Sequence, residues 1–202
     1  TDRMIINDTG VGIGTTSPGS FNSDARNLVV NGSGNVGISI ATTTTTGNSS
    51  VVFADGTGGT AGYRGRLKYG HATDYMAFFT AAAEKMRIDS NGNVGINVVA
   101  QNSSATWRNF QLGGGNVVTR ASTGNGMLLG TGFIFTSADT ELYKNTAATS
   151  RVYFNNDEIR FQNAASGTAG SAITWNETMR ILANGNVGIG TDSPDAKLEV
   201  DG

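Results

Sequence analysis

The chain of 202 residues has no cysteine, one histidine and two prolines. Without cysteine, disulfides and thiolate metal sites are excluded, while the redox compartment stays open. A lone His71 excludes a His-rich metal site or a histidine relay. Charge is scarce as well: 14 basic and 16 acidic residues, 15% of the chain, leave a net charge of −2 and a pI near 5.3. Such a chain offers no cationic surface for counterion release from nucleic acid and no Lys/Arg run for anionic lipid. Neither nucleic acid nor membrane insertion is expected. No apolar run approaches the ~18 residues of a membrane span, and no signal peptide is seen. The chain begins at Thr1, which reads as a processed or excerpted piece of something longer.

Core-forming residues are also few. Hydrophobic residues supply 38% of the chain and Gly supplies 29 positions, against an apolar usage of roughly 45–50% with Gly included in ordinary domains. Thr, Ser, Asn and Gly fill the remainder. Gly and β-branched Thr both weaken helices, so the composition predicts an all-β chain of turns and short strands.

One phrase recurs. "RMIINDTGVGI" at 3–13, "LVVNGSGNVGI" at 28–38, "MRIDSNGNVGI" at 86–96 and "MRILANGNVGI" at 179–189 align on their last three residues. The spacings of 25, 58 and 93 residues exclude a solenoid of fixed period. Within the third copy, alternation puts Met86 and Ile88 on one strand face and Arg87 and Asp89 on the other. A three-residue loop Ser90-Asn91-Gly92, closed by Gly in the left-handed conformation, pairs Ile88 with Val94 and Met86 with Ile96. A two-residue loop would throw the apolar residues onto opposite faces. The same register is expected for Leu28 and Val30 against Val36 and Ile38, and for Met179 and Ile181 against Val187 and Ile189. In the first copy Thr9 replaces the loop glycine, so a different turn is expected there.

Each hairpin offers about four aliphatic side chains on one face, and an isolated hairpin is marginal in water. Gly12, Gly37, Gly95 and Gly188 lie on the other face, where a missing side chain lets another backbone approach. Crowding on both sides suits three chains, each contributing one strip to a common axis. The expected trimer-core residues are Val36, Ile38, Met86, Ile88, Val94, Ile96, Met179, Ile181, Val187 and Ile189.

Between the repeats, "TTTTTGNSS" reads as a polar linker or edge segment, and "VVF", "YRGRLKYG" and "YMAFF" as short strands. The later insert carries "WRNFQLGGGNVVTR", "GMLLGTGFIFT", "TELYKN", "SRVYF", "DEIRFQNA" and "SAITWNETMRI". Pro18 and Pro194 each follow a repeat and mark strand ends. The expected organisation is 1–40, shaft hairpins; 41–96, a small β-module; 97–189, a larger β-module; and 190–202, the start of a following module.

Motifs with chemical readings are few. "GTGGTAG" at 56–62 loosely matches a dinucleotide fingerprint, which needs a following helix that "GYRGRLKYG" cannot supply. "DSNGN" at 89–93 resembles a calcium loop with its glycine misplaced and its terminal Glu absent, so a turn is expected. A single His71 could serve a triad with a Ser, but nothing like a nucleophile elbow surrounds any Ser of the chain, so a surface or turn residue is expected. Asp139 with Glu141, and Asp157 with Glu158, are the local acid pairs a glycosidase would need, with Arg87, Arg160 and Arg180 as candidate ion-pair partners. Trp107, Tyr75 and Tyr143 are the candidate sugar-stacking residues, while Trp175 falls in step with the repeat and is assigned to core or interface.

"MRIDSNGNVGI", "MRILANGNVGIGTDSPDAKLEVDG" and "ASGTAGSAITWNETMRI" resemble the repeated shaft modules of bacteriophage tail fibres, particularly of phages infecting marine bacteria and cyanobacteria. The similarity is strongest at 84–96 and 150–202. It implies an elongated, intertwined homotrimeric β-fibre built from short hairpins and small β-modules, located in the virion. Such modules often precede a self-cleaving chaperone of the endosialidase type, which would lie beyond Gly202. Copies two and three lack the "GTTSP"-like ending. The resulting expectation is a structural protein and not an enzyme, with no catalytic residues, metal or cofactor. Its expected partners are two further copies, adjoining fibre or tail proteins, and a host-surface glycan or protein. The alternatives are a lectin-like receptor-binding module, a bacterial trimeric surface adhesin on the cell surface and, last, a glycan depolymerase.

Overall fold

The computed structural model describes residues 4–24, 26–100, 106–120 and 126–202. Its regular structure is β apart from two short 3-10 turns, Pro18–Ser20 and Gly59–Tyr63. The chain divides into two compact units, Thr1–Ala41 and Thr42–Gly202.

In the first unit, β1 (Met4–Asn7), β2 (Gly10–Ile13) and β3 (Leu28–Val30) form a sheet in chain order. Pairing Asn7 with Gly10 leaves a loop of only Asp8 and Thr9, and this sets Met4 and Ile6 opposite Ile13 and Val11. The shorter turn of this copy is offset by a one-residue change of phase in β1, so apolar residues still face each other. The expected hairpin of Leu28 and Val30 with Val36 and Ile38 does not form. Leu28–Val30 instead pairs in parallel with β2, Val11 against Leu28 and Ile13 against Val30. A third strand added to an existing hairpin buries more than a second isolated pair would.

The second unit is built on one sheet of thirteen strands. It opens with β4 (Asn48–Phe53), β5 (Gly65–Gly70), β6 (Tyr75–Thr80), β7 (Ala83–Ile88) and β8 (Val94–Ile96). The sheet continues through β9 (Trp107–Leu112), β10 (Gly115–Arg120) and β11 (Gly126–Thr131). A separate hairpin, β12 (Phe133–Phe135) with β13 (Glu141–Tyr143), interrupts it. It resumes with β14 (Ala147–Asn155), β15 (Glu158–Gly167), β16 (Asn176–Ile181), β17 (Val187–Ile189) and β18 (Leu198–Val200). Neighbours in space are neighbours in sequence, except where β14 follows β11. The sheet does not close, and β4 and β18 are its free edges. The expected module borders at 96/97 and 189/190 are junctions within this one sheet, between strands that pair with each other.

Pairing is antiparallel throughout this sheet apart from β8 with β9 and β17 with β18. The repeated phrase therefore builds the same device at β1-β2-β3, β7-β8-β9 and β16-β17-β18: a hairpin whose second strand is flanked by a parallel third. Parallel strands need a crossover, and here its described residues contain no α-helix and its start folds tightly over the middle of the "VGI" strand. A Cβ at Gly12, Gly95 or Gly188 would sit 2.5, 2.2 or 2.5 Å from the carbonyl oxygen of Thr15, Val98 or Thr191. Glycine is required there because backbone occupies the space. Pro18 and Pro194, both buried, pack against the same spot in their copies.

Candidate functional site

The third and fourth repeats adopt the register expected of them. Met86 lies opposite Ile96 and Ile88 opposite Val94, and Met179 lies opposite Ile189 and Ile181 opposite Val187. Gly92 and Gly185 close the loops at φ 81° and 79°, with the Gly92 amide donating to the Asp89 carbonyl at 2.9 Å. The Asp89 carboxylate accepts from the Asn91 and Asn93 amides and from Asn93 Nδ2, each at 2.9 Å. These bonds make "DSNGN" a self-satisfied turn.

Following the register across the sheet joins the two hairpins into one surface. From β5 to β10 the aligned residues are Tyr69, Met76, Ile88, Val94, Phe110 and Val117. From β11 to β18 they continue as Leu129, Val152, Phe161, Met179, Ile189 and Val200. Directly paired residues share a sheet face, so this is an unbroken apolar row across twelve strands. A second row runs Val51, Leu67, Phe78, Met86, Ile96 and Leu112. A third runs Met127, Phe154, Ile159, Ile181, Val187 and Leu198. None of these side chains is buried within the chain. Phe110 is 43% exposed, Leu112 60%, Leu198 62% and Val200 66%. All eight expected trimer-core residues of this unit lie on this face. Val36 and Ile38, in the first unit, are 48% and 69% exposed and lie outside any strand.

The other face is chemically different. Its centre is covered by the β12–β13 hairpin, which closes a core of Trp107, Val118, Leu128, Phe133 and Phe135 with Tyr153, Ile173 and Trp175 packed against it. Trp107 stacks on Phe135 with ring centroids 5.2 Å apart. Buried polar groups tie this core to the repeat: Asn93 Oδ1 accepts from the Asn109 amide at 2.9 Å, and Asn116 Nδ2 donates to the Phe133 carbonyl at 2.6 Å. On either side of the covered region the face is charged. Glu84 pairs with Arg87, while Glu158, Arg160, Glu177 and Arg180 form one network. The carboxylates of Glu84 and Glu177 hold the Arg87 and Arg180 guanidinium groups above their usual pKa, whereas burial pushes Arg151 below it.

Two of the sugar-contact expectations are corrected by this packing. Trp107 is 5% exposed, with its ring inside the core, and Tyr143 is 7% exposed, with its hydroxyl donating to the Ala165 carbonyl at 2.7 Å. Tyr143 is thereby closed to a ligand, and Trp107 adds only its small exposed remainder to the wall of a cavity beside the β12–β13 hairpin. Tyr75 is half-buried, and the Arg87 guanidinium covers its ring at 3.8 Å. Trp175 is in the core's outer layer, as alternation predicts.

Two of the four candidate acids, Glu141 and Glu158, are held by arginine. Glu141 pairs with Arg151 and accepts from the Trp175 indole. Glu158 belongs to the arginine network, and Asp157 sits in the two-residue turn between β14 and β15. His71 Nε2 lies 3.0 Å from Ser49 Oγ across β4 and β5. Among the described residues no carboxylate hydrogen-bonds His71. The "GTGGTAG" stretch forms a 3-10 turn in place of the α-helix a pyrophosphate would need. Among the described residues no group of three or more His, Cys, Asp or Glu is placed to hold a metal ion, and no helix is long and apolar enough to cross a membrane.

What the sequence reading missed was Asn93 and the insert strands' share of the open face. The signals were present: Asn precedes "VGI" in three of four copies, and "WRNFQL" alternates Phe110 and Leu112 with polar neighbours. No family model matches the chain, and no curated protein matches it.

Proposed function

We propose that this chain is a structural segment of a phage tail fibre, a homotrimeric rod that supports or contributes to binding of a host-surface receptor. The observation that carries this reading is the open apolar face. Nine of its side chains, Val51, Phe53, Phe78, Phe110, Leu112, Leu129, Ile189, Leu198 and Val200, are each at least 40% exposed in the single chain. At ~1.5–3 kcal/mol for complete burial of each such side chain, covering their exposed half is worth about 7–13 kcal/mol per chain. That is as large as the entire net stability of a typical domain, roughly 5–15 kcal/mol, so folding and association are coupled.

Two sheets stacked face to face would also cover this surface. The choice of three rests on the resemblance of the repeated phrase to fibre shafts. In that arrangement the apolar rows point inward, the Glu84–Arg87 and Glu158–Arg160–Glu177–Arg180 groups point outward to water, and three copies of any weak receptor contact gain avidity through effective concentration. Light scattering of the full chain tests the reading: three copies of 20.9 kDa give about 63 kDa, against about 42 for the stacked pair and about 21 for a monomer that would refute assembly. Electron microscopy of the assembled protein tests the rod.

A lectin-like role is favoured by one feature, a cavity of about 310 Å³ beside the β12–β13 hairpin with Asp139, Glu141, Arg151 and Tyr153 in its wall. Aromatic and charged groups in one hollow are the elements of a sugar site. A glycan array probed with the full chain and with Asp139→Asn tests it, and equal signals from the two would set the cavity aside.

A further inference from the structure

The second copy of the repeated phrase is the one that does not fold like the others. In copies one, three and four the "VGI" strand is held between an antiparallel and a parallel neighbour. In copy two, residues 31–41 contain no strand, and among the described residues 33–41 make no backbone hydrogen bond. The sequence nevertheless keeps a strand's alternation: Val36, Ile38 and Ile40, 48%, 69% and 47% exposed, alternate with Gly37 and Ser39. A segment with unpaired amides and β-branched side chains at every second position has what a strand needs except its sheet.

The glycine in this copy tells what is missing. Backbone lies 2.2–2.5 Å from the Cβ position of the equivalent Gly12, Gly95 and Gly188, yet nothing lies within 4 Å of that position at Gly37. The phrase has kept the opening for a close backbone while its own chain supplies none. We infer that residues 35–41 are an interchain strand, with Val36, Ile38 and Ile40 of three copies meeting at the assembly axis and a neighbouring copy's backbone passing beside Gly37. The occupant is a further copy of this chain because Val36 and Ile38 stand at the same positions of the phrase as Val94 and Ile96 and as Val187 and Ile189, which lie on the open apolar face of the larger unit. This inference rests on the trimeric reading and locates a contact within it.

The absence of cysteine gives a clean test. The full chain carrying Ile38→Cys is oxidised with copper phenanthroline and run on a non-reducing gel, with Ser39→Cys as the control one position along. Disulfides form only where Cα atoms come within about 4.4–6.8 Å. Three cysteines at an axis can join in one pair, so the expected result is a covalent dimer holding up to about two-thirds of the Ile38→Cys chains, and at least fivefold less from Ser39→Cys. Absence of the dimer from a sample that light scattering measures at about 63 kDa would overturn the inference and leave the trimer standing. Equal cross-linking at the two positions would also overturn it, as random collision, and a mass of about 21 kDa would remove both readings.

Discussion

Leu128 and Leu129 are adjacent in β11 and chemically identical, yet the first is 1% exposed and the second 40%. They sample two faces of one sheet that are finished by different means. The face of Leu128 carries Asn109, Gln111, Asn116 and Arg151, groups that must meet specific partners, and the chain supplies a hairpin to cover them. The face of Leu129 carries side chains that need only be kept from water, and the chain supplies nothing. Polar groups demand exact geometry and suit cover from the same polypeptide, whereas an aliphatic row is complementary to any similar row. The modest hydrophobic content thus makes a small internal core because much of it lies on the open face.

Leu129→Asp gives the largest expected effect. If that face is the dry centre of an assembly, each copy brings a buried charge to it, and the mass should fall from about 63 to about 21 kDa with loss of cooperative unfolding. An ordinary surface substitution changes stability by about 0.5 kcal/mol or less. Unaltered mass and melting temperature would make the two faces differ only in composition and not in role.

On the covered face, Phe133 is fully buried and anchors the β12–β13 hairpin. Phe133→Ala should cost about 3–5 kcal/mol in denaturant unfolding at fixed protein concentration, while the assembled mass at low denaturant is retained. A loss of mass equal to that of Leu129→Asp would show that the faces are not independent. Asn93→Ala is a smaller intrusion on the same side. It leaves the buried Asn109 amide without its acceptor, for an expected cost of about 1–3 kcal/mol, with hydrogen exchange at Asn109 speeding up as the local readout.

Period-two alternation and one turn rule were enough to give Met86, Ile88, Val94 and Ile96 their partners, because register in a short hairpin is a local property. The polar stretch "TTTTTGNSS" likewise runs into an edge strand. Joining the modules into one sheet was not legible, since the parallel pairing of Val94 with Phe110 or Val187 with Leu198 is set by a crossover and leaves no periodic trace. Trp107 was ambiguous for a related reason: its neighbours in sequence are polar, but its partner in space is Phe135 from a hairpin that folds back. Leu28 and Val30 misled because the phrase around them is complete, and only the competing edge of β2 reveals that another strand takes them first.

The smallest effect concerns the turn that decides which face the repeat's aliphatic residues join. Gly92 sits at φ 81°, and a Cβ there would meet only the Arg108 side chain at 3.8 Å, so Gly92→Ala carries backbone strain without a clash. The expected loss is about 1–2 kcal/mol, and Gly92→Asn should recover part of it because Asn tolerates the left-handed region better. Neither change alters the side chains of either face, so assembly should persist with a lowered melting temperature. Dissociation by Gly92→Ala alone would mean that the three-residue loop, by holding Val94 and Ile96 in phase with Ile88 and Met86, controls the open face more strongly than the contacts made on it.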